Sequence, residues 1–335
     1  MSESLRVGFE ALRLAEPVEV VESIVTAMRR VVGGFRRRGG VLGLSGGIDS
    51  SVVAALAARA FGPERVLGVL MPEADSAPDT LRLSRLAAEA VGIETVLEDL
   101  TPTLDALGCY RRRDEAFRQV LPDYAAHWKA KLVLPSVVDS DAFRLFSVVA
   151  LDGEGREHRV RLTPGAYREV VAATNFKQRT RKMIEYYHAD RLNYVVLGTP
   201  NRLEYDQGFF VKNGDGAADV KPIAHLYKTQ VYQLAETLGV PQEIRARPPT
   251  TDTYAMPQSQ EEFYFSLPYD HMDLCLYAVD HGLQPVVIAD ALGLTPVQVE
   301  RVFGDIAAKR RMARYLHAAP VMLAPPESST CAEAE

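Results

Sequence analysis

Val41-Leu42-Gly43-Leu44-Ser45-Gly46-Gly47-Ile48-Asp49-Ser50-Ser51 passes from an apolar, strand-like run, Val41 to Leu44, into a helix-like run, Val52 to Ala60. Such a junction binds phosphate. Two glycines let backbone N–H groups approach an anion, Ser45 and Ser50 add hydroxyl donors, and the following helix turns the positive end of its dipole to the same place. Asp49 beside an anion site makes sense if it holds a magnesium ion that bridges to phosphate oxygens, because magnesium usually takes one or two carboxylates plus substrate phosphates. The Lys-Ser/Thr pair that closes a Walker A loop is missing and the loop is too short for one, so a nucleotide loop of another kind is predicted. The competing reading is a plain Gly-Gly turn ahead of a helix, and other segments must decide.

Outward from this stretch the pattern alternates. Val41 to Leu44 is followed by a helix to Phe61, a strand at Val66 to Met71, a helix at Thr80 to Val91 and a strand at Thr95 to Leu100. Alternation of this type predicts an α/β fold, a doubly wound parallel sheet flanked by helices. Ligands in such sheets bind beyond the carboxyl ends of the strands, where Ser45, Met71-Pro72 and Thr199 all fall. Upstream, Val18, Val21, Ile24, Val25, Met28 and Val32 recur with helical spacing, which predicts a helix over residues 17–38 leading to the core. Arg36-Arg37-Arg38 is read as its solvated end.

The 335 residues, 47% hydrophobic, suffice for one sizeable α/β core with additions. A net charge of −6 argues against broad affinity for nucleic acid or anionic membranes. Cys109, Cys275 and Cys331 lack metal or redox spacing and fit reduced thiols, and no apolar run reaches the length of a bilayer span, so a cytoplasmic location is expected. The seven histidines are scattered, with no pair at zinc-site spacing. Val287 to Arg301 has the look of a helix-turn-helix, with Gly293 in the turn and Thr295 capping a second helix, which supplies a DNA-binding rival. Its basic footprint is thin until Lys309-Arg310-Arg311. Ala324 to Glu335, rich in Pro, Ser and Glu, is expected to be a disordered tail.

The Ser45 loop resembles the pyrophosphate loop of the N-type ATP pyrophosphatases, and a second block narrows that resemblance to the NAD synthetase family. Asn175-Phe176-Lys177-Gln178-Arg179-Thr180-Arg181 is similar to the family's Asn-x-Lys-Ala-Arg-x-Arg, and Val195-Val196-Leu197-Gly198-Thr199 to its strand ending in Gly-Thr. Glu204 follows at the family's spacing. Gly208 to Asp219 then resembles Gly-x-Phe-x-Lys-x-Gly-Asp-Gly-x-x-Asp, with Pro222, Leu226 and Lys228 after it. Together with Met71-Pro72 and Pro249-Thr250 the resemblance covers most of residues 39–255.

The resemblance implies an adenine nucleotide α-hydrolase-like fold and an ammonia-dependent reaction in which ATP activates the carboxylate of deamido-NAD (nicotinate adenine dinucleotide) as an acyl-adenylate. Gly43, Leu44, Ser45, Gly46, Gly47, Ile48, Asp49 and Ser50 would hold the pyrophosphate. Met71, Thr199, Lys228 and Thr250 would contact ATP, and Asp49 and Glu204 would bind Mg2+. Arg179, Lys212, Asp219, Lys309 and Arg310 would contact the acceptor, while Asp49 and Lys228 would carry the catalysis. A homodimer is implied, with free ammonia or a separate glutaminase as the nitrogen source and no nucleic-acid or membrane partner. The alternative is the same chemistry on another carboxylate in specialised metabolism. The implied division is a helical extension at 1–38, a synthetase domain at 39–323 and the tail at 324–335.

Two departures qualify the resemblance. Residues from about 105 to 174 are roughly twice the expected length, with a β-hairpin at Val148 to Leu162 and the only tryptophan, Trp128, nearby; this insert is either a lid or acceptor wall, or a surface or dimer elaboration. Arg111-Arg112-Arg113, followed by Asp114-Glu115, reads as a salt-bridged helix face. After Thr250, where the family has Gln-Thr-Asp-Glu and a glycine, this chain has Gln258-Ser259-Gln260-Glu261 with Phe265 near the glycine position, and Phe263-Tyr264-Phe265 could stack on a ring. Leu274, Leu276 and Tyr277 suit either a dimer face or a core helix.

Overall fold

The computed structural model describes residues 7–139, 144–250 and 253–323, so the tail and Cys331 lie outside the described residues. The chain runs α1 (Pro17–Gly34), β1 (Gly40–Gly43), α2 (Ile48–Phe61), β2 (Val66–Leu70), α3 (Thr80–Val91) and β3 (Glu94–Leu97). After these come α4 (Thr101–Ala106), α5 (Cys109–Arg118), β4 (Lys129–Val133), β5 (Ser147–Leu151), β6 (Glu157–Arg161), α6 (Pro164–Leu192) and β7 (Val195–Val196). The remaining helices are α7 (Arg202–Gln207), α8 (Lys228–Thr237), α9 (Gln242–Arg245), α10 (Tyr269–Asp280), α11 (Pro285–Leu292) and α12 (Pro296–His317).

The main sheet is parallel with order β3-β2-β1-β7, in register from Gly40 opposite Val66 on one side and Val195 on the other. Helices cover both faces, which is why β1 and β2 read as unbroken apolar runs rather than alternating ones. The small-residue helix α2 buries Val52, Val53, Ala54, Leu56 and Ala57 because it is enclosed by neighbours. α1 packs Val21, Ile24, Val25, Met28 and Val32 into the same core, each burial being worth roughly 1.5–3 kcal/mol, while Val18 is left 57% exposed.

The predicted hairpin forms as β5 and β6, and β4 joins it in an antiparallel sheet of order β4-β5-β6. Asp152 closes the turn by accepting from the N–H groups of Glu154 and Arg156, each at 2.9 Å. Trp128 stacks on His158 at 4.9 Å. β4 escapes a sequence reading because two of its five residues, Lys129 and Lys131, are charged. The sheet shares a core with Phe117 of α5 and Val170 of α6, and α6 itself begins at Pro164, capped by Thr163.

A second core gathers α10, α11 and α12 with Leu12. Leu274 and Leu276 are fully buried in it, so that stretch is a core helix and carries no argument for a dimer. The helix-turn-helix outline is present, with Gly293 left-handed (φ 64°) and Thr295 capping α12. Val299, Val302 and Ile306 nevertheless point into the core, Lys309 is buried against Asp305 at 2.8 Å, and Arg310 pairs with Asp206 and Asp280. No helix among the described residues is long and apolar enough to cross a membrane.

One buried acid joins this second core to the main one. Asp273 of α10 is inaccessible and accepts from the Thr229 N–H at 2.8 Å, in the first turn of α8, where the helix dipole favours a carboxylate. Burial pushes its pKa from 3.8 up to about 7, against the lowering effect of that hydrogen bond. Folding therefore takes up a proton between these values, and stability falls as pH rises through that window. Asp273→Asn keeps an acceptor for Thr229 and should flatten the fall in melting temperature between about pH 4 and about pH 7. An unaltered difference from wild type across that range would remove Asp273 as its source.

Candidate active site

The Ser45 loop is built before any ligand arrives. Leu44 N–H bonds the Val69 carbonyl at 3.0 Å, continuing the sheet for one residue, and the Ser84 hydroxyl of α3 holds the Leu44 carbonyl at 2.9 Å. The Ser45 and Ser50 hydroxyls lie 3.2 Å apart, and Ser50 and Ser51 both donate to the Gly47 carbonyl. Gly46 turns the chain at φ 69°, and a Cβ there would stand 2.7 Å from the Leu83 Cβ. Only glycine suits both the angle and the space.

The loop opens on a cavity of about 450 Å³. Gly43, Leu44, Ser45, Gly47, Ile48, Asp49, Ser50, Met71, Thr199, Glu204, Lys228 and Thr250 all line it, so the positions predicted to contact ATP converge, with Gly46 acting from behind as the turn. Its floor is formed by the ends of β1 and β2, as the sheet topology requires.

A compact charged group sits at one end. Lys228, 1% exposed at the start of α8, bonds the Asp49 carboxylate. Asn201 donates to the other Asp49 oxygen at 3.1 Å and at the same time caps α7, exchanging bonds with Glu204 in a capping box. One asparagine thereby fixes both acids. Gln260 donates to Glu204 Oε1 at 3.0 Å. Burial, then the charge of Asp49, pushes Glu204 up to about 7 against the pull of Lys228. Burial works against the charge of Lys228, but Asp49 and Glu204 outweigh it and raise its pKa.

Two carboxylates around one cation, with Lys228 as the cation in place, suit a hard divalent ion. Among the described residues no group of three or more metal-ligating acids, histidines or cysteines gathers, so such an ion would complete its shell with phosphate oxygens and water.

The residues predicted to contact the acceptor lie elsewhere. Arg179 donates to the Lys212 carbonyl at 3.3 Å, and Lys212 reaches the Tyr315 and Ala318 carbonyls at 2.8 and 2.9 Å. Asp219 accepts from the Val196 N–H at 2.7 Å and from Tyr186. Lys309 donates to the Tyr264 carbonyl, and Arg310 is occupied by its two acids. None of these five lines the cavity.

In their place the cavity is lined by Lys177, Gln178, Arg181, Lys182 and Arg247, which the sequence reading passed over. Helical spacing offered a signal: 177, 178, 181 and 182 share one face of α6, which leaves Arg179 and Met183 on another. Lys177, 1% exposed, bonds Glu73 at 3.0 Å, Asp75 at 2.6 Å and the Thr253 carbonyl at 2.8 Å. Arg111 pairs with Glu115 and Arg113 with Asp114, each at 2.9 Å, as the reading of a salt-bridged helix face expects; Arg113 is buried and enters the Lys177 network through Asp75.

The aromatic triplet divides. Phe263 and Tyr264 line the cavity with Phe146 and Tyr167, whose rings stack at 4.7 Å, while Phe265 is buried in the second core. The left-handed residue of this turn is Ser266 (φ 66°), one position after Phe265.

The NAD synthase family profile matches residues 20–122 and 155–314 of the chain. The chain is 58% identical over 318 residues to an NH3-dependent NAD+ synthetase of Rhizobium meliloti, covering 95% of each protein. It is 60% identical to that of Mesorhizobium japonicum, covering 93% of this chain and 98% of the relative. Among solved structures, an NH3-dependent NAD synthetase from Campylobacter jejuni shares the fold with a TM-score of 0.58 at 21% identity, covering 91% of this chain and 98% of that one. Between the two matched stretches lie residues 123–154, which contain β4 and β5.

Gly46→Ala should weaken ATP binding by about ten-fold or more, since a side chain at positive φ costs roughly 1–2 kcal/mol before the contact with Leu83 is counted. Equilibrium dialysis with labelled ATP measures it, and wild-type affinity would mean that the loop shifts freely.

Proposed function

The chain belongs to the NAD synthase family, and we propose that it converts deamido-NAD to NAD with ATP and ammonia, releasing AMP and pyrophosphate. The observation that carries this reading is the convergence of the Ser45 loop, Asp49, Glu204 and Lys228 on one cavity at the carboxyl end of β1. A carboxylate is a poor electrophile at neutral pH, so amide formation needs a better leaving group than oxide. The acceptor carboxylate attacks the α-phosphorus of ATP and pyrophosphate departs. Ammonia then adds to the acyl carbon of the adenylate, and AMP leaves from the tetrahedral intermediate as a proton is lost from nitrogen.

The protein's part is positioning and charge stabilisation. N–H groups of the loop and the N-terminus of α2 hold the β- and γ-phosphates, and Ser45 and Ser50 donate to them. Mg2+, when bound, offsets phosphate charge and orients the pyrophosphate for departure; Asp49 and Glu204 would hold it. Lys228, released from Asp49, offsets charge gathering on the leaving group. Arg181 and Arg247 supply further positive charge along the wall, while Lys182 is paired with Glu185 at 2.6 Å. Thr199 and Thr250 offer hydroxyls to the nucleotide.

Arg179, Lys212 and Asp219 lie outside this cavity, and that position suits an acceptor site shared between two copies. Arg179 and Tyr315 are linked through Lys212, and beside them Met183, Tyr187, Met312 and Tyr315 are 58–73% exposed, an apolar face for a closed two-fold dimer. Cytoplasmic location fits the supply of ATP and deamido-NAD and the two buried free thiols, Cys109 and Cys275. Free ammonia serves as the nitrogen source, and a separate glutaminase could deliver it.

Purified protein given ATP, magnesium, ammonium and deamido-NAD should form NAD, AMP and pyrophosphate in equal amounts, and Asp49→Asn or Glu204→Gln should abolish turnover while leaving far-ultraviolet circular dichroism unchanged. ADP as the main product, or NAD formation by either variant at the wild-type rate, would defeat the assignment. Light scattering at micromolar protein is expected to give twice the 36.9 kDa chain mass. A fully active monomer would rule out a shared site.

A further inference from the structure

Gln260 touches no part of the loop, yet it makes the one side-chain bond to Glu204 that comes from outside the capping box among the described residues. A carboxylate here would face another carboxylate; the amide instead offers a donor at 3.0 Å from Glu204 Oε1 and adds no charge.

The segment that carries Gln260 is fastened on two sides. Toward the nucleotide, Thr250 and Ser259 pair as an antiparallel bridge and the Gln260 N–H reaches the Pro249 carbonyl. Toward the antiparallel sheet, Gln258, 3% exposed, donates its amide to the Leu132 carbonyl of β4. Lys131 of β4 pairs with Glu262 at 2.8 Å, and the Leu134 N–H meets the Glu262 carbonyl. Residues 258, 260 and 262 therefore alternate between β4 and the acid site: two hold the sheet, and the one between them holds Glu204. β4 lies within the residues that the family profile leaves unmatched.

We propose that Gln260 is a positioning residue for the divalent-cation carboxylate Glu204, and that the antiparallel sheet, through β4, serves as the bracket that holds it in place. The inference rests on the proposed role of Glu204 in cation binding. By fixing the direction of one Glu204 oxygen, Gln260 leaves the other oriented by the Asn201 N–H, so the acid is presented in one rotamer beside Asp49 rather than sampling several. Groups that orient a metal ligand in this way typically change metal affinity by about 10- to 100-fold when removed.

The test is direct Mn2+ binding to the intact protein, followed by electron paramagnetic resonance in the presence of the non-cleavable analogue α,β-methylene-ATP. Gln260→Met keeps the side-chain volume and loses the donor; it should weaken Mn2+ binding by about ten-fold with a melting temperature close to that of wild type. Lys131→Met, at a residue that does not line the cavity, should weaken it in the same direction and by less, and should raise the magnesium needed for half-maximal turnover without lowering the rate at saturating magnesium. Glu204→Gln separates the two layers. If it leaves Mn2+ binding unchanged, the cation role of Glu204 fails; if it abolishes binding while Gln260→Met and Gln260→Ala both stay within two-fold of wild type, the positioning role of Gln260 is overturned. An effect of Gln260→Met with none from Lys131→Met or Gln258→Ala would overturn the bracket.

Discussion

The ion pair between Asp49 and Lys228 is the constraint on which the rest of the arrangement depends. It joins the start of α2, next to the phosphate loop, to the start of α8, across the cavity. Lys228 is buried, and a buried cation is stable only if paired; removing one partner of such a pair costs about 3–5 kcal/mol. Asn201 and Glu204 then crowd the same spot, so the site is assembled from the first turns of α2, α7 and α8. Three helix N-termini face this end of the cavity, and their dipoles favour negative charge there, as they favour the acids that occupy it.

That arrangement is held from behind by two cores rather than one. The sheet core fixes α2 and, through Val231 and Leu234, α8; the second core fixes α7 through Leu203 and reaches α8 through Asp273. The burial of Asp273 is unfavourable for its charge, which its raised pKa reflects, yet it gives the first turn of α8 an acceptor where water cannot reach. The antiparallel sheet adds a third support, on the side of the cavity lined by Phe146 and Phe263. Phe146, just ahead of β5, stacks on Tyr167 in the cavity wall, so the same sheet that braces Gln260 also shapes the space a ring would occupy.

The buried network around Lys177 shows how much of the site is structural. Glu73 and Asp75 follow β2 at the position where a ligand-binding loop is expected, and they are occupied by Lys177, Arg113 and Tyr110. Through the Thr253 carbonyl the network also holds the segment that follows Thr250. Charges here act on backbone placement and leave the contacts with nucleotide to neighbouring residues.

The glycine-rich loop, the parallel sheet and the place of Asp49 beside that loop were legible in the residues themselves, because glycine conformational freedom, apolar run length and short-range spacing are local properties that hold wherever the chain goes, whereas Glu204 came only from the family resemblance. The hairpin at β5 and β6 was legible for the same reason, and β4 was not, since its lysines hide its alternation. What only the tertiary structure decided is which side chains meet. Lys177 rather than Arg179 faces the cavity because of the rotation of α6 against β1, and Lys309 turns inward because Asp305 and the Tyr264 carbonyl lie there to receive it. Gln260 meets Glu204 from a segment that β4, more than 100 residues earlier in the chain, and the Thr250–Ser259 bridge both hold. Periodicity determines what a residue faces along its own element; packing between distant elements determines what stands opposite.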